Sequence, residues 1–457
     1  MDEQIKKYLV ENRARFLEQI KDFLSIPSIS SDPSHKADVR RAAEWLAEDL
    51  KNGGIEHVRI IETEGHPVVY GDYLKAEGKP TVLCYGHYDV QPVDPIDKWQ
   101  TEPFKPIITD NIIYARGSSD DKGQVFMLAK MAESILSVKG ELPVNIKFCF
   151  EGEEEIGSAH LDDFVDKHLD LLKADVLLVS DTTMIGPDQP AVCYGLRGLC
   201  GLEVRLRGAK GDLHSGVYGG AVQNPLHAMV ELLASLHNRK GKVTVDGFYD
   251  QVRPLSDEEK ATCEMLSDDE SLKKELDVDS LYGEEGYSTV ARIWARPTLE
   301  LNGVFGGFEG EGLKTVIPST ATAKITCRLV PDQNPADIDR LLREHFEKNL
   351  PTGVKLDVRL MDHAEPFVMP ISHPTLKAAD AALEDAYHVK PILSRQGGSV
   401  PIVNTFHNKL GLAPVLMGFG LDSENFHAPN EHFHLVNFDR GLNALVNFLY
   451  YLPEKMQ

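Results

Sequence analysis

The chain lacks paired cysteines, a surplus of positive charge and any long apolar run, and each absence excludes something. Its six cysteines (Cys84, Cys149, Cys193, Cys200, Cys263 and Cys327) are scattered and form no C-x-x-C pair. That spacing argues against a thiolate zinc site or a disulfide framework and fits small buried hydrophobes in a reducing cytoplasm. Lys and Arg number 48 against 71 Asp and Glu, a formal net charge of −23. Nucleic acid and anionic membrane both need a basic footprint, so neither is expected as a partner. No apolar stretch is long enough to span a bilayer, and the first residues, Met1-Asp2-Glu3-Gln4-Ile5-Lys6-Lys7, lack the apolar centre of a signal peptide. Internal repeats and low-complexity tracts are missing as well.

What is present is the texture of an ordinary globular protein, with 26% charged and 42% hydrophobic residues. At 457 residues the chain exceeds one core, so two or three domains are expected. Apolar positions at helical spacing predict helices over 4–24, 39–50 and 124–136. Short apolar runs at 81–85, 144–150 and 175–180 predict strands. Strand–helix alternation with polar chemistry at each strand end implies a parallel, three-layer α/β domain.

Around 195–201 the texture changes. Leu202–Arg207 and Ala321–Leu329 alternate apolar and polar residues, Asn224-Pro225 and Asn334-Pro335 start helices, and Val354–Leu360 closes with a strand. Strand, helix, strand, helix, strand outlines a small ferredoxin-like α+β domain. Residues 240–300 read as an irregular acidic insertion. Helices at 373–387 and 437–451 and a strand at 413–417 return to the first texture. The reading is one domain inserted into another: 1–195 and 367–457 form the first, 196–366 the second.

The chemistry gathers at Glu151-Gly152-Glu153-Glu154-Glu155-Ile156-Gly157-Ser158, four acids at the end of an apolar strand. Strand ends and glycine turns also deliver His87, Asp89, Asp120 and Asp181, and His427 follows the last sheet strand. Each has an ordinary explanation alone. An acidic run is often a solvated turn, a histidine after a strand is often structural, and Asp120-Asp121 could cap the next helix. Together they form a histidine and carboxylate set without thiolate, which suits zinc, manganese or cobalt. The set exceeds what one tetrahedral ion needs, and it suits two ions about 3.5–4 Å apart sharing a carboxylate. A remaining acid could then take a proton from a metal-bound water.

Nine blocks now stand in one order: Gly86-His87-Tyr88-Asp89-Val90-Gln91-Pro92, 117–123, 151–158, Ser180-Asp181, Asp212-Leu213-His214-Ser215-Gly216, Lys314-Thr315-Val316-Ile317-Pro318, Arg328-Leu329-Val330-Pro331, Gly397-Gly398-Ser399 and 427–431. In these the chain resembles the dinuclear metallopeptidases that include aminoacylase, carboxypeptidase G and carnosinase. It is most similar to the branch of carnosinase and the cysteinyl-glycine dipeptidases. The resemblance implies a three-layer α/β catalytic domain with an inserted ferredoxin-like lid and dimerisation domain. It implies His87 and Asp181 on one ion, Glu155 and His427 on the other, and Asp120 bridging. Glu154 would be the general base of a metal-bound hydroxide, Asp89 would orient His87, and a cis bond would join Asp120 to Asp121. His214, Thr315, Arg328 and His363, with Gly398 and Ser399, match substrate contacts. His214 would act in the partner's site of a homodimer paired through the inserted domain.

The function these implications describe is a cytoplasmic dipeptidase holding two divalent ions, zinc first, with manganese or cobalt as alternatives. One departure is Gln396, where the branch often carries Glu before Gly-Gly-Ser; it bears on which substrate terminus is read. The rival readings are an N-acyl-amino-acid amidohydrolase or desuccinylase of the same family, and an idle binding or scaffold protein.

Overall fold

Four strands, Thr81–His87, Asn145–Glu151, Val176–Val179 and Ala413–Leu416, run parallel at the centre of a sheet in the computed structural model, which describes residues 2–397 and 401–456. Their order is 145–151, 81–87, 176–179, 413–416. They are buried along almost their whole length, as strands covered on both faces must be. The sheet is not parallel throughout. Glu56–Ile61 and Val68–Tyr73 add antiparallel strands on one side, and Ala191–Leu196 pairs antiparallel with Ala413–Leu416 on the other. The connection over 62–67 is too short for a crossover, so the strands it joins can pair only as a hairpin.

Helices Glu3–Leu24, Lys36–Asn52, Lys122–Lys139, Pro374–Tyr387 and Leu435–Lys455 complete this body. Phe23 stacks on Trp45 with ring centroids 4.5 Å apart, and Phe126 on Phe438 at 6.2 Å. Lys122–Lys139 is buried nearly all round, and its interior Lys130 is neutralised by Asp49 and Glu133, each at 2.6 Å. All six cysteines are buried and carry no disulfide. Among the described residues no helix is long and apolar enough to cross a membrane.

The chain divides into two compact bodies: Met1–Tyr194 with Met369–Ser394 and Ile402–Gln457, and Gly195–Val368 with Arg395–Pro401. Arg395–Pro401 thus falls in the second body, although the sequence reading places 367–457 wholly in the first.

The second body holds four antiparallel strands in the order Thr298–Phe305, Thr320–Leu329, Gly198–Arg207, Lys355–Ala364. With helices Pro225–Ala234 and Pro335–Lys348, the chain order is strand, helix, strand, strand, helix, strand, which is ferredoxin-like. The Asn224 and Asn334 side chains accept the N–H groups of Leu226 and Ala336, both at 2.9 Å, and so start the two helices. The core joins Leu202, Val204 and Leu206 to Met229, Leu232, Ile338, Leu342 and Phe346.

Two features differ from the sequence reading. Thr298–Phe305 is a strand the outline lacked; it lies at the sheet edge with most side chains exposed or half-buried, so it carries no clear alternation. The 240–300 stretch is not irregular throughout, because it holds helices Asp257–Leu266, Asp269–Leu276 and Thr289–Ala295. The first begins with a reciprocal capping box between Ser256 and Glu259, a signal readable as S-x-x-E.

Candidate metal centre

Parallel strands leave their carboxyl ends on one side of a sheet, so residues just past those ends share a crevice. His87 ends its strand directly opposite Glu151 on the neighbouring strand, and Asp181 lies just beyond Val176–Val179. The turn before Lys122–Lys139 brings Asp120 to the same place. Gly117 in that turn has φ +82, and a Cβ there would meet Val90 Cγ1 at 2.6 Å, so only glycine fits. The Asp120–Asp121 peptide bond is cis. His427 arrives from the loop before His432–His434 with its backbone in the left-handed region, φ 55.

These side chains meet in two triads, His87–Asp120–Asp181 and Asp120–Glu155–His427, each with donor atoms within 4.8 Å of one another. Asp120 belongs to both. Its Oδ1 lies 3.1 Å from His87 Nε2 and its Oδ2 lies 2.9 Å from His427 Nε2. His87 Nε2 is also 3.8 Å from Asp181 Oδ2, and His427 Nε2 is 3.1 Å from Glu155 Oε2. Glu154 stands beside the triads, its Oε2 4.0 Å from His87 Nε2.

The electrostatics favour cations. Protein groups alone push the Glu154 carboxyl up to about 9: burial is the main cause, His87 opposes it, and Asp181, Glu155 and Asp120 add repulsion. Burial and then Asp120 push Asp181 up to about 7. Burial would raise Asp120 too, but hydrogen bonds with His427 and His87 hold it below the ordinary carboxylate range. Asp120 and Glu155 in turn push His427 up to about 10. Acids that repel one another and histidines that borrow protons to neutralise them form a donor set that divalent ions would satisfy better. The residues present therefore fit a pair of such ions.

The other two acids of the run serve elsewhere. Glu151 accepts from Tyr85 Oη at 2.5 Å and Ser158 Oγ at 2.8 Å. Glu153 accepts the His66 N–H at 3.1 Å and sits 2.9 Å from His160 Nδ1. Asp89, fully buried, faces Nδ1 of His87 with Oδ1 at 3.3 Å and its own carbonyl at 3.1 Å. The same carboxylate accepts the backbone N–H of Glu154 at 3.3 Å and of Glu155 at 3.2 Å. Asp121 Oδ2 accepts the His87 N–H at 3.2 Å.

Several supporting residues went unassigned in the sequence reading. Gln91 donates to Glu155 Oε2 at 2.8 Å. Glu431 receives the N–H groups of Gly117, Ser119 and Asp120, and Glu424 receives Ser119 Oγ–H at 2.6 Å. Gln91 and Glu431 lie inside the quoted blocks, beside His87 and His427, and adjacency to a ligand was the available signal. Glu424 precedes the last block and gave none.

The second body carries the remaining candidates. His214 and Thr315 meet at a short ribbon in which Leu213–His214 pairs with Val316–Ile317 and Ser215 N–H donates to Thr315 O at 3.0 Å. His214 is exposed, and its Nδ1 accepts the Gly216 N–H at 3.0 Å. Arg328 lies half-buried on Thr320–Leu329, and His363 exposed on Lys355–Ala364. Gly398 and Ser399 lie outside the described residues. Arg197, also unassigned from sequence, donates Nε–H to Gly397 O at 3.1 Å; burial lowers its guanidinium to about 10, and Arg328 adds repulsion.

A family model described as peptidase family M20/M25/M40 matches residues 83–451. A Cys-Gly metallodipeptidase of Candida albicans is 33% identical, over 96% of this chain and 95% of its own. The crystal structure of human carnosine dipeptidase 1 superimposes with a TM-score of 0.83 at 28% identity, covering 99% of this chain and 98% of that one. An M20 family metallo-carboxypeptidase from Sulfolobus solfataricus gives a TM-score of 0.85 at 33% identity, covering 96% and 99%.

Proposed function

The chain belongs to peptidase family M20/M25/M40, and from that membership and the geometry of Asp120 we propose a dinuclear metal-dependent dipeptidase. The observation that carries this reading is one carboxylate presenting a different oxygen to each of two histidines. His87, Asp181 and Asp120 would hold one ion, and Glu155, His427 and Asp120 the other. Bound there, zinc (or manganese or cobalt) would acidify a water and polarise the scissile carbonyl. Glu154 takes the proton of the attacking water and returns it to the leaving amine; cations held by the neighbouring acids would offset the burial and repulsion that otherwise raise its carboxyl, leaving it ionised as a base must be. Asp89 keeps His87 in one ring orientation and anchors the backbone that carries Glu154.

His214 suits oxyanion stabilisation by its tautomer. Nδ1 already accepts a hydrogen bond, so the neutral ring carries its proton on Nε2 and can donate it to a developing negative charge. In this reading His214 serves the partner's site in a homodimer paired through residues 196–366. Thr315, Arg328, His363, Gly398 and Ser399 contact the substrate, and Arg328 offers a fork for its terminal carboxylate. The names of the relatives support free dipeptides as the substrate class. Buried thiols without disulfides support a reducing cytoplasm.

Gln396 favours a second reading. A neutral residue before Gly397-Gly398-Ser399 weakens ionic capture of a free amine, and a similar solved chain is a carboxypeptidase. The deciding experiment is a screen of free dipeptides, N-acylated amino acids and N-blocked dipeptides after reconstitution with zinc or manganese. Preferential hydrolysis of free dipeptides is expected. Preference for N-blocked substrates would replace the reading with a carboxypeptidase or amidohydrolase, and a doubly loaded protein that cleaves nothing would end it.

A further inference from the structure

Glu431 is fully buried and belongs to neither triad, yet it makes four hydrogen bonds to the segment that bears Asp120. Its Oε1 accepts the N–H groups of Ser119 and Asp120, both at 3.1 Å. Its Oε2 accepts the N–H of Gly117 at 2.8 Å and Nη1 of Arg116 at 2.7 Å. Glu424, also fully buried, holds the same turn from another side, accepting Ser119 Oγ–H at 2.6 Å, Leu421 N–H at 2.9 Å and His434 N–H at 2.9 Å. Burying a carboxylate is costly unless every lone pair is used, and here one guanidinium and three backbone donors use them all.

On the dinuclear reading above, we infer that Glu431 is the positioning residue that sets the bridging carboxylate of Asp120 and thereby governs the affinity of both ion sites. The bond from Asp120 N–H fixes the residue's own backbone, and the bonds from Gly117 and Ser119 fix the turn leading to it. A displacement of that backbone moves Oδ1 and Oδ2 together, and these oxygens face His87 and His427 respectively. Glu431 also lies four residues after His427 on the same segment, so the strut of the bridge and a ligand of one site move as one piece. A role in general folding would require only that the turn be satisfied somehow; this arrangement predicts an effect on ion affinity that outlasts any effect on stability.

Glu431→Gln separates the two. The glutamine keeps one carbonyl oxygen but turns an NH₂ toward donors on the other side, so half of the four bonds are lost and the turn shifts. Both zinc dissociation constants would be measured by competition with a chromophoric chelator, on full-length protein well below its melting temperature. Lys130→Met serves as a destabilised control, because it breaks a buried charge cluster in the same body that touches neither triad. The expected result is a weakening of both constants by about 10–100-fold in Glu431→Gln, with kcat recovering at saturating zinc, against unchanged constants in Lys130→Met. Constants within twofold of wild type, or a change at one site only, would overturn the inference. If Glu431→Gln does not fold, Arg116→Lys, which keeps the charge and loses the fork, should weaken both constants by a smaller shared factor; unchanged constants there overturn it equally. A wild-type protein that binds fewer than two ions would instead refute the dinuclear reading, and this inference with it.

Discussion

The backbone N–H of Glu154 donates to Asp89 Oδ1 at 3.3 Å, and that same oxygen lies 3.3 Å from Nδ1 of His87. One buried carboxylate therefore sets the ring of a metal-ligand candidate and the backbone of the candidate base. Asp89→Asn should weaken metal affinity about 10–100-fold without abolishing binding at saturating metal. It should also lower kcat at saturating metal, because the amide NH₂ would replace one of the two oxygens that accept the N–H groups of Glu154 and Glu155, so one of those bonds is lost. Chelator competition and metal-saturated kinetics read the two effects separately, and wild-type values for both would contradict the arrangement.

Glu154→Gln tests the base itself. The side chain stands outside both triads, so two ions should remain bound while turnover falls by about 10²–10⁴. Elemental analysis and steady-state kinetics on one preparation suffice. Near-normal turnover, or loss of both ions, would remove Glu154 from this role.

Proton release should accompany metal loading. His427 is pushed up to about 10 by Asp120 and Glu155, so near neutrality an ion must displace its proton. His87, which burial would lower but Asp120 and Asp89 raise, loses one as well, and Asp181, lifted mainly by burial to about 7, adds a further displaced proton below that value and almost none above it. Affinity should therefore rise with pH, and the number of protons released should be larger at about pH 6 than at about pH 8. Calorimetry in buffers of different ionisation enthalpy counts them, and a pH-independent count of zero would exclude these groups as ligands.

His214→Ala and Glu154→Gln should each be nearly inactive, since removing one oxyanion donor costs about 10²–10³ in turnover. If His214 serves the partner's site, co-expression of the two variants should restore a fraction of activity, because one site of the mixed dimer regains both groups. Mixed dimers that form and stay inactive would assign His214 to its own chain or to no catalytic role.

Much of this was legible along the chain because the relevant signals are local. A strand that ends in His87 or before Asp181 announces a polar delivery at a sheet end, and apolar alternation over 321–329 announces a sheet with two different faces. The edge strand Thr298–Phe305 was not legible for the same reason, since its mostly exposed side chains leave no alternation to read.

Other features depended on the folded chain. Nothing in Glu151-Gly152-Glu153-Glu154-Glu155 distinguishes the four acids by spacing; the turn over Glu154–Ile156 sends Glu154 and Glu155 to the centre, while Tyr85, Ser158, His66 and His160 claim Glu151 and Glu153. Likewise, the residue types in Gly117–Asp120 and 427–431 implied ligands, but only the sheet topology brings Glu431 under a turn 312 residues away from it in sequence. The sequence determined which side chains could bind and which of the strongly periodic segments would be strands or helices, because those choices follow from residue chemistry and short-range periodicity. The tertiary structure decided which oxygen faces which nitrogen, because that depends on contacts between strands and loops far apart in the chain, for which no local pattern exists.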